Sequence, residues 1–175
     1  MLNRKYITLL VIGTAVLAIA YVLFANISVQ RVGTDVGNAA PDYELPMYNQ
    51  KSGSLSDYDG NVIVMNMWAS WCEPCTEEIP ALMEFQEAYR EEGVTVLTVN
   101  MNSYERTQEE PEQFVEEYNM ERSPAMVDKE GEVADLYNIQ RLPTTYIIKR
   151  DGTIVEKVEG PVSFDDLEQL VESEL

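Results

Sequence analysis

The feature that most constrains this chain is an apolar run that leads directly into a pair of cysteines. Residues 62–68 are almost wholly apolar, and Cys72 and Cys75 follow three positions apart. A run of that kind is typical of a strand that is buried on both faces, and from Pro74 onward the sequence has helical periodicity. The only two cysteines in 175 residues therefore lie at a strand-to-helix junction, which is typical of a dithiol redox centre.

The segment Trp71-Cys72-Glu73-Pro74-Cys75 predicts a role for each cysteine. Cys72 lies at the helix N-terminus, where free N–H groups and the helix dipole favour a thiolate, so it is the predicted attacking sulfur. Cys75 is placed to resolve a mixed disulfide with the substrate. Pro74 presets φ for the first turn, and Trp71 is a predicted platform for substrate. A static disulfide is the alternative, but so short a ring adds little loop-closure stabilisation.

The residues around the cysteines indicate the direction of electron transfer. A strongly oxidising dithiol needs a thiolate that is stabilised by a cation or a histidine. This chain contains no histidine, and Glu73, Glu77 and Glu78 lie next to the cysteines. Carboxylates disfavour the thiolate, so we predict that the centre is a reductant. Glu73 is expected to shape the reduction potential and the contact surface rather than to transfer protons.

Glu78 is the predicted proton carrier of the site. It lies three residues after Cys75 and four before Leu82, so it shares the helix face that bears the inner cysteine. A carboxylate beside a buried thiol can act as general base and then as general acid. The alternative is an ordinary solvated glutamate on a helix.

Residues 1–31 are predicted to form a signal-anchor transmembrane segment. Tyr6–Val29 carries no charge over 24 residues, and a helix of that length spans about 36 Å, enough for a hydrocarbon core of ~30 Å. Arg4 and Lys5 precede it, which favours a single-pass membrane protein with a cytoplasmic N-terminus and an extracytoplasmic catalytic domain. A cleaved signal peptide is the alternative, because Ala18-Ile19-Ala20 has the small-x-small form of a cleavage site. Both interpretations export the domain.

After a tether at residues 32–42, residues 43–175 are predicted to form one α/β domain. The predicted strands are 43–48, 54–58, 62–68, 94–99, 125–127, 144–149 and 153–158, and the predicted helices are 74–90, 111–120, 133–137 and 164–175. This order favours a central sheet of mixed direction with helices on both sides. Leu142-Pro143 opens a late strand, and a cis bond there would mark a tight turn, but the sequence does not decide between cis and trans.

The charge of the chain excludes one class of partner. The net charge is −19, and all 31 acidic residues follow position 34. Such a surface repels phosphate backbones, so we expect no nucleic-acid binding.

Two other functions on the same fold are disfavoured by the residues present. A copper-delivery module would need a distant histidine besides the two cysteines, and a protein-binding module without activity would usually lack one cysteine. We therefore expect no metal and no cofactor.

Two motifs carry a family resemblance: Trp71-Cys72-Glu73-Pro74-Cys75 after an apolar strand, and Leu142-Pro143-Thr144-Thr145 at the opening of a late strand. They resemble those of the thioredoxin superfamily and, within it, of the membrane-anchored ResA/TlpA-like thiol-disulfide oxidoreductases. The resemblance covers roughly residues 36–175 and implies a thioredoxin-like fold, with a β-hairpin at 43–58 and a helix at 111–120 as additions. It also implies that Pro143 is a cis-proline that faces the dithiol. Thioredoxins carry a buried Asp at the place of Asn66. ResA-like proteins lack that Asp and carry a Glu at the position of Glu78, which supports the role assigned to this residue.

The resemblance further implies a client and an electron donor. ResA-like proteins reduce the disulfide of apocytochrome c haem-binding cysteines during c-type cytochrome maturation, and they receive electrons from a membrane thiol-disulfide transporter of the CcdA type. The second interpretation is a reductase of the same family with another extracytoplasmic client, such as a spore-envelope protein. Nothing in the motif separates the two.

Overall fold

A computed structural model of the chain describes residues 4–27 and 31–175. The chain divides into two compact units, Met1–Arg31 and Val32–Leu175, which are described separately. Residues 1–3 and 28–30, which belong to the predicted anchor and its end, lie outside the described residues.

The first unit contains helix α1, Arg4–Ile27. Apolar side chains on it are exposed, among them Leu9, Leu10 and Leu17. Within 4–27 and 31–175, no helix combines the length and the apolar character that a membrane-crossing segment requires. A helical conformation is thus confirmed for residues 4–27, whereas the predicted transmembrane span is not.

The second unit contains the α/β domain. Its strands are β1 (Glu44–Pro46), β2 (Ser52–Ser54), β3 (Val62–Trp68), β4 (Val94–Asn100), β5 (Ala125–Val127), β6 (Thr144–Ile148) and β7 (Ile154–Glu159). Its helices are α2 (Glu73–Tyr89), α3 (Glu109–Glu117), α4 (Glu132–Leu136) and α5 (Phe164–Val171). The predicted bounds of β3 and β5 are confirmed, and most other elements agree within a few residues. The predicted last helix is α-helical only to Val171, and a 3-10 turn follows it.

Five strands form one sheet in the order β5-β4-β3-β6-β7. β3 runs parallel to β4 and antiparallel to β6, so the predicted mixed direction is confirmed. Trp68 at the end of β3 is paired with Asn100 at the end of β4, while Met67 is paired with Thr144 at the start of β6. The chain that follows β3, the chain that follows β4 and the residues just before β6 therefore share one edge of the sheet.

The central strand β3 separates two cores. All its side chains are buried, and they point alternately to opposite faces of the sheet. Val62, Val64 and Trp68 belong to a core with residues of α2 and α5. Ile63, Met65 and Met67 belong to a second core on the side of α4, which also contains Met101 and Met126. By the same alternation, Asn66 lies on the face that α2 covers.

The predicted strand at 54–58 is wrong. The hairpin partner of β1 is β2, which ends at Ser54, and residues 55–58 form a 3-10 helix instead. The reason is a capping box, in which the Ser54 N–H donates to Asp57 Oδ2 at 2.8 Å and the serine side chain caps the turn in return. A Ser-x-x-Asp pattern of this kind begins a helix and satisfies N–H groups that a strand would pair across a sheet.

Candidate active site

Cys72 and Cys75 form a disulfide at the start of α2, with their Cα atoms 5.2 Å apart. Cys72 is the N-cap residue and has extended backbone angles, so it is the last residue before the helix. Its side chain is 6% exposed, whereas Cys75 is fully buried. Cys72 is therefore the cysteine nearer to the surface, and Cys75 has no exposed surface. The roles of attacking and resolving sulfur remain predictions that this asymmetry supports.

Local hydrogen bonds hold the two cysteines at the helix start. The Thr76 N–H donates to the Cys72 carbonyl at 3.1 Å, and the Cys72 N–H donates to the Ala69 carbonyl at 3.2 Å. Glu73 and Pro74 form the first turn and are exposed. Proline has no N–H to leave unpaired at this position, which is why it suits a helix start. Glu73 thus faces the solvent side of the dithiol, as a residue of the contact surface would.

Glu78 is buried, with 3% of its surface exposed, so the alternative of a solvated glutamate is wrong. Each carboxylate oxygen accepts one hydrogen bond. The Asn66 amide donates to Oε1 at 2.8 Å, and the Val162 N–H donates to Oε2 at 2.9 Å. The carboxylate therefore joins α2 to the central strand and to the loop before α5. It lies one helical turn after Cys75, on the same buried face.

Burial raises the pKa of Glu78 to about 7, although the hydrogen bonds from Val162 and Asn66 act in the opposite direction. Taking a carboxylate out of water disfavours its charged form, and two donors compensate for only part of that cost. A pKa near 7 lets the group take up and release a proton at neutral pH. General acid–base catalysis depends on that match between pKa and working pH.

Asn66 is a structural partner of Glu78 whose contacts were not predicted from the sequence. It is fully buried, and its Nδ2 atom donates both to Glu78 and to the Thr145 hydroxyl, the latter at 3.0 Å. Its Oδ1 atom has no hydrogen-bond partner in the described part of the chain. The strand alternation at β3 was the signal that could have placed this amide next to α2.

A second carboxylate, Glu105, holds the loop that precedes the cysteines. Ser70 donates to it twice, from its N–H to Oε1 at 2.7 Å and from its hydroxyl to Oε2 at 2.6 Å. The Asn100 side chain donates to Oε1 at 2.7 Å. Sequence reasoning missed Glu105 because it lies 35 residues after Ser70 in the chain. The one available signal was topological, since loops that follow adjacent parallel strands lie at the same sheet edge.

The two tryptophans of the motif region lie in different environments. Trp71 is 44% exposed, and its indole N–H donates to the Tyr104 carbonyl at 2.9 Å. Trp68 is fully buried and packs against Phe114, as a core residue. Trp71 therefore has the exposure expected of a substrate platform, and that role stays a prediction.

The Leu142–Pro143 peptide bond is cis. Thr144, the next residue, is paired with Met67, so Pro143 lies at the sheet edge from which the chain continues to Cys72. Cys72, Cys75, Glu78 and Pro143 are thus gathered at one end of the domain. Among the residues that the structure describes, no group of three or more Cys, Asp or Glu side chains is arranged to hold a metal ion.

Comparisons with known proteins give similarities over most of the chain. The model of the AhpC/TSA family matches residues 36–157. Thiol-disulfide oxidoreductase ResA of Oceanobacillus iheyensis is 37% identical over 157 residues, which cover 87% of this chain and 80% of that protein.

Solved structures are similar as well. The thiol:disulfide interchange protein DsbE of Chlorobium tepidum superposes with a TM-score of 0.69 at 29% identity, covering 81% of this chain and 99% of that chain. StoA of Bacillus subtilis superposes with a TM-score of 0.66 at 26% identity, covering 75% of this chain and 96% of that one.

Proposed function

Because this chain belongs to the AhpC/TSA family, and within it to the ResA-type thiol-disulfide oxidoreductases, we propose that it reduces disulfides of exported proteins through Cys72 and Cys75. The family supplies the enzyme class, and the proposal concerns the direction, the client and the location. The observation that carries it is the asymmetric dithiol, in which Cys72 keeps 6% exposure while Cys75 is fully buried one helical turn from Glu78.

The reaction moves two electrons from the dithiol to the client. The Cys72 thiolate attacks one sulfur of the client disulfide, that bond breaks, and the other client sulfur leaves as a thiolate that takes up a proton. Glu78 removes the proton from the Cys75 thiol, and the Cys75 thiolate then attacks Cys72. The client's second sulfur leaves as a thiolate, and the Cys72–Cys75 disulfide remains. Regeneration needs an external dithiol donor.

The direction of transfer is argued from the charges around the sulfurs. Glu73 lies in the first turn of α2 and Glu77 is exposed one turn later, while the chain has no histidine. These charges oppose the helix dipole, so the thiolate gains less stabilisation than in an oxidant. Equilibration with glutathione and dithiothreitol buffers should give a reduction potential near that of thioredoxin, about −270 mV. A value near about −120 mV, as in strong oxidants, contradicts the proposed direction.

The proposed client is apocytochrome c with oxidised haem-binding cysteines, and the proposed electron donor is a membrane transporter of the CcdA type. Both rest on the resemblance to ResA-like proteins. Trapping tests the client, because a Cys75→Ala protein cannot resolve the mixed disulfide formed through Cys72. The matched control is Cys72→Ala, which should trap nothing. Mass spectrometry of the captured species should identify c-type apocytochromes, and capture of other exported proteins alone assigns the enzyme to a different client.

The proposed location of the catalytic domain is outside the cytoplasm. The support comes from the sequence, since Arg4 and Lys5 precede a segment of 24 residues without charge, and disulfide chemistry is commonest in such compartments. An external protease applied to intact cells should degrade the domain. Protection of the domain in intact cells, with degradation after lysis, would contradict export. Fractionation of the same cells distinguishes a membrane-held form from a released one.

A further inference from the structure

We propose that Glu105 is the positioning residue for the attacking sulfur. It acts through Ser70, and in the described part of the chain no hydrogen bond joins it to either cysteine. The Glu105–Ser70 contact fixes the main chain two residues before Cys72 through one N–H and one hydroxyl donor. Only Trp71 lies between that fixed point and the N-cap residue of α2.

A chain of hydrogen-bonded side-chain amides fixes the Glu105 carboxylate on the side away from Ser70. The Asn100 amide donates to it, and Asn102 donates to the Asn100 oxygen at 3.2 Å. Gln108 donates to the Asn102 oxygen at 3.0 Å. Asn100 is fully buried and Asn102 is 6% exposed. Because buried amides in a connected network have few alternative partners, the carboxylate is held in one place.

Two further contacts join the same two loops. The Met101 N–H donates to the Trp68 carbonyl at 2.8 Å, and the Trp71 indole donates to the Tyr104 carbonyl. The residues after β4 thus contact the end of β3 and the residues that follow it at three points. The contact of Glu105 with Ser70, which lies between Trp68 and Trp71 in the chain, supplies two of the bonds.

The contact has its greatest effect when the dithiol is reduced. In the oxidised protein the disulfide also ties Cys72 to α2. Once that bond is gone, the position of the Cys72 sulfur depends on its flanking main chain, with α2 on one side and Ser70 on the other. Attack requires the thiolate to lie in line with the substrate S–S bond, which breaks as the new S–S bond forms. Misplacement by an ångström can cost as much as about 100-fold in rate.

Substitutions at Glu105 distinguish the effect of its hydrogen bonds on the position of Ser70 from the effect of its charge. Glu105→Ala removes all three bonds. Glu105→Gln removes the charge but can keep the contacts, because its oxygen accepts from both N–H donors and its amide can donate to the Ser70 hydroxyl. The matched control is Asp42→Ala. Asp42, which lies just before β1, accepts the same pair of bonds from Ser56, at 3.0 Å and 2.8 Å, and Ser56 belongs to the 3-10 helix after β2.

The experiment is stopped-flow reduction of oxidised glutathione by the reduced full-length protein, from pH 5 to 9. Alkylation by iodoacetamide gives the pH midpoint of Cys72 thiolate formation. We expect Glu105→Ala to lower the plateau rate about tenfold or more with an unchanged midpoint, and Glu105→Gln and Asp42→Ala to stay within about twofold of the natural protein. Equal losses in the Ala and Gln variants, an equal loss in Asp42→Ala, or no loss in Glu105→Ala each overturn the proposal. A different client or location leaves this outcome unaffected, because glutathione is the substrate.

Discussion

Glu78 and Glu105 are carboxylates on two sides of the same dithiol, and their surroundings differ. Glu78 is buried behind Cys75 and accepts two hydrogen bonds. Glu105 lies half-buried at the rim and accepts three, two of them from Ser70. Burial raises the pKa of Glu78 to about 7, which suits proton transfer. The three hydrogen bonds of Glu105 join Ser70 to Asn100, which suits positioning.

The largest expected effect is the loss of thiol-exchange rate when Glu78 is substituted. Glu78→Gln should slow thiol exchange about 100-fold at pH 7, because the amide cannot accept the Cys75 proton and general acid–base catalysis contributes 10²–10⁴-fold. Stopped-flow exchange with a disulfide peptide measures the rate. Glu84→Gln, an exposed glutamate on the same helix, is the matched control and should behave as the natural protein. Unchanged kinetics in Glu78→Gln would remove Glu78 from the mechanism.

The second prediction concerns stability against pH. Folding raises the pKa of Glu78 from 4.5 to about 7, so the folded state binds this proton more tightly than the unfolded state does. Stability is therefore highest below pH 4.5 for this group and falls as pH rises to about 7. The loss is about 3 kcal/mol.

Glu78→Gln should lack this component. Urea unfolding at pH 5 and pH 8 gives the free energy of unfolding for both proteins, and between these pH values the natural protein should lose about 2–3 kcal/mol more than the variant. Parallel pH profiles would mean that the Glu78 carboxylate has an ordinary proton affinity.

A third prediction changes the donors of Glu78 rather than the carboxylate. The Asn66 hydrogen bond lowers the pKa of Glu78, so Asn66→Ala should move the pH midpoint of thiol exchange upward by about one unit, as expected for a lost bond to a charged group. Thr145→Val is the matched control, because Thr145 accepts a hydrogen bond from Asn66, whereas the donors to Glu78 within the described residues are Asn66 and Val162. A midpoint that moves downward in Asn66→Ala would show that the amide favours the protonated form.

The smallest expected effect is on the exchange rate when the exposed Trp71 is substituted. Trp71→Phe keeps an aromatic ring and removes the indole N–H that donates to the Tyr104 carbonyl. Because the side chain is exposed, water can replace that bond, and exchange should slow by about threefold. The same stopped-flow assay measures it. A loss as large as that expected for Glu105→Ala would move the main role in positioning from Ser70 to Trp71.

The sequence predicts the surroundings of Glu78 better than those of Glu105. Short-range spacing was enough to predict the disulfide pair and the burial of Glu78, because residues three and four apart share a helix face. The donors to Glu78 and the partner of Glu105 come from distant segments, and Val162 lies 84 residues from Glu78. Such contacts depend on strand pairing and loop position, for which a single sequence contains only indirect signals.

The wrong strand at 54–58 has a different cause. The turn-rich residues 49–53 indicated a hairpin with 54–58 as its second strand, whereas Ser54 and Asp57 form a capping box that begins a 3-10 helix. The Ser-x-x-Asp pattern was present in the sequence and competed with the hairpin pattern. Where the two patterns disagree over only four or five residues, side-chain capping can decide the conformation.

Oxidation of the methionines between the sheet and α4 can report how often that core opens to solvent. Met65, Met67, Met101 and Met126 are fully buried. A thioether becomes a sulfoxide only where an oxidant can reach it, so peroxide should modify these residues at the rate at which that half of the domain opens. Met83, on the dithiol helix α2 itself, and Met120 lie in the other core. Residue-by-residue sulfoxide counts would therefore tell which half of the domain loosens first when the disulfide is reduced.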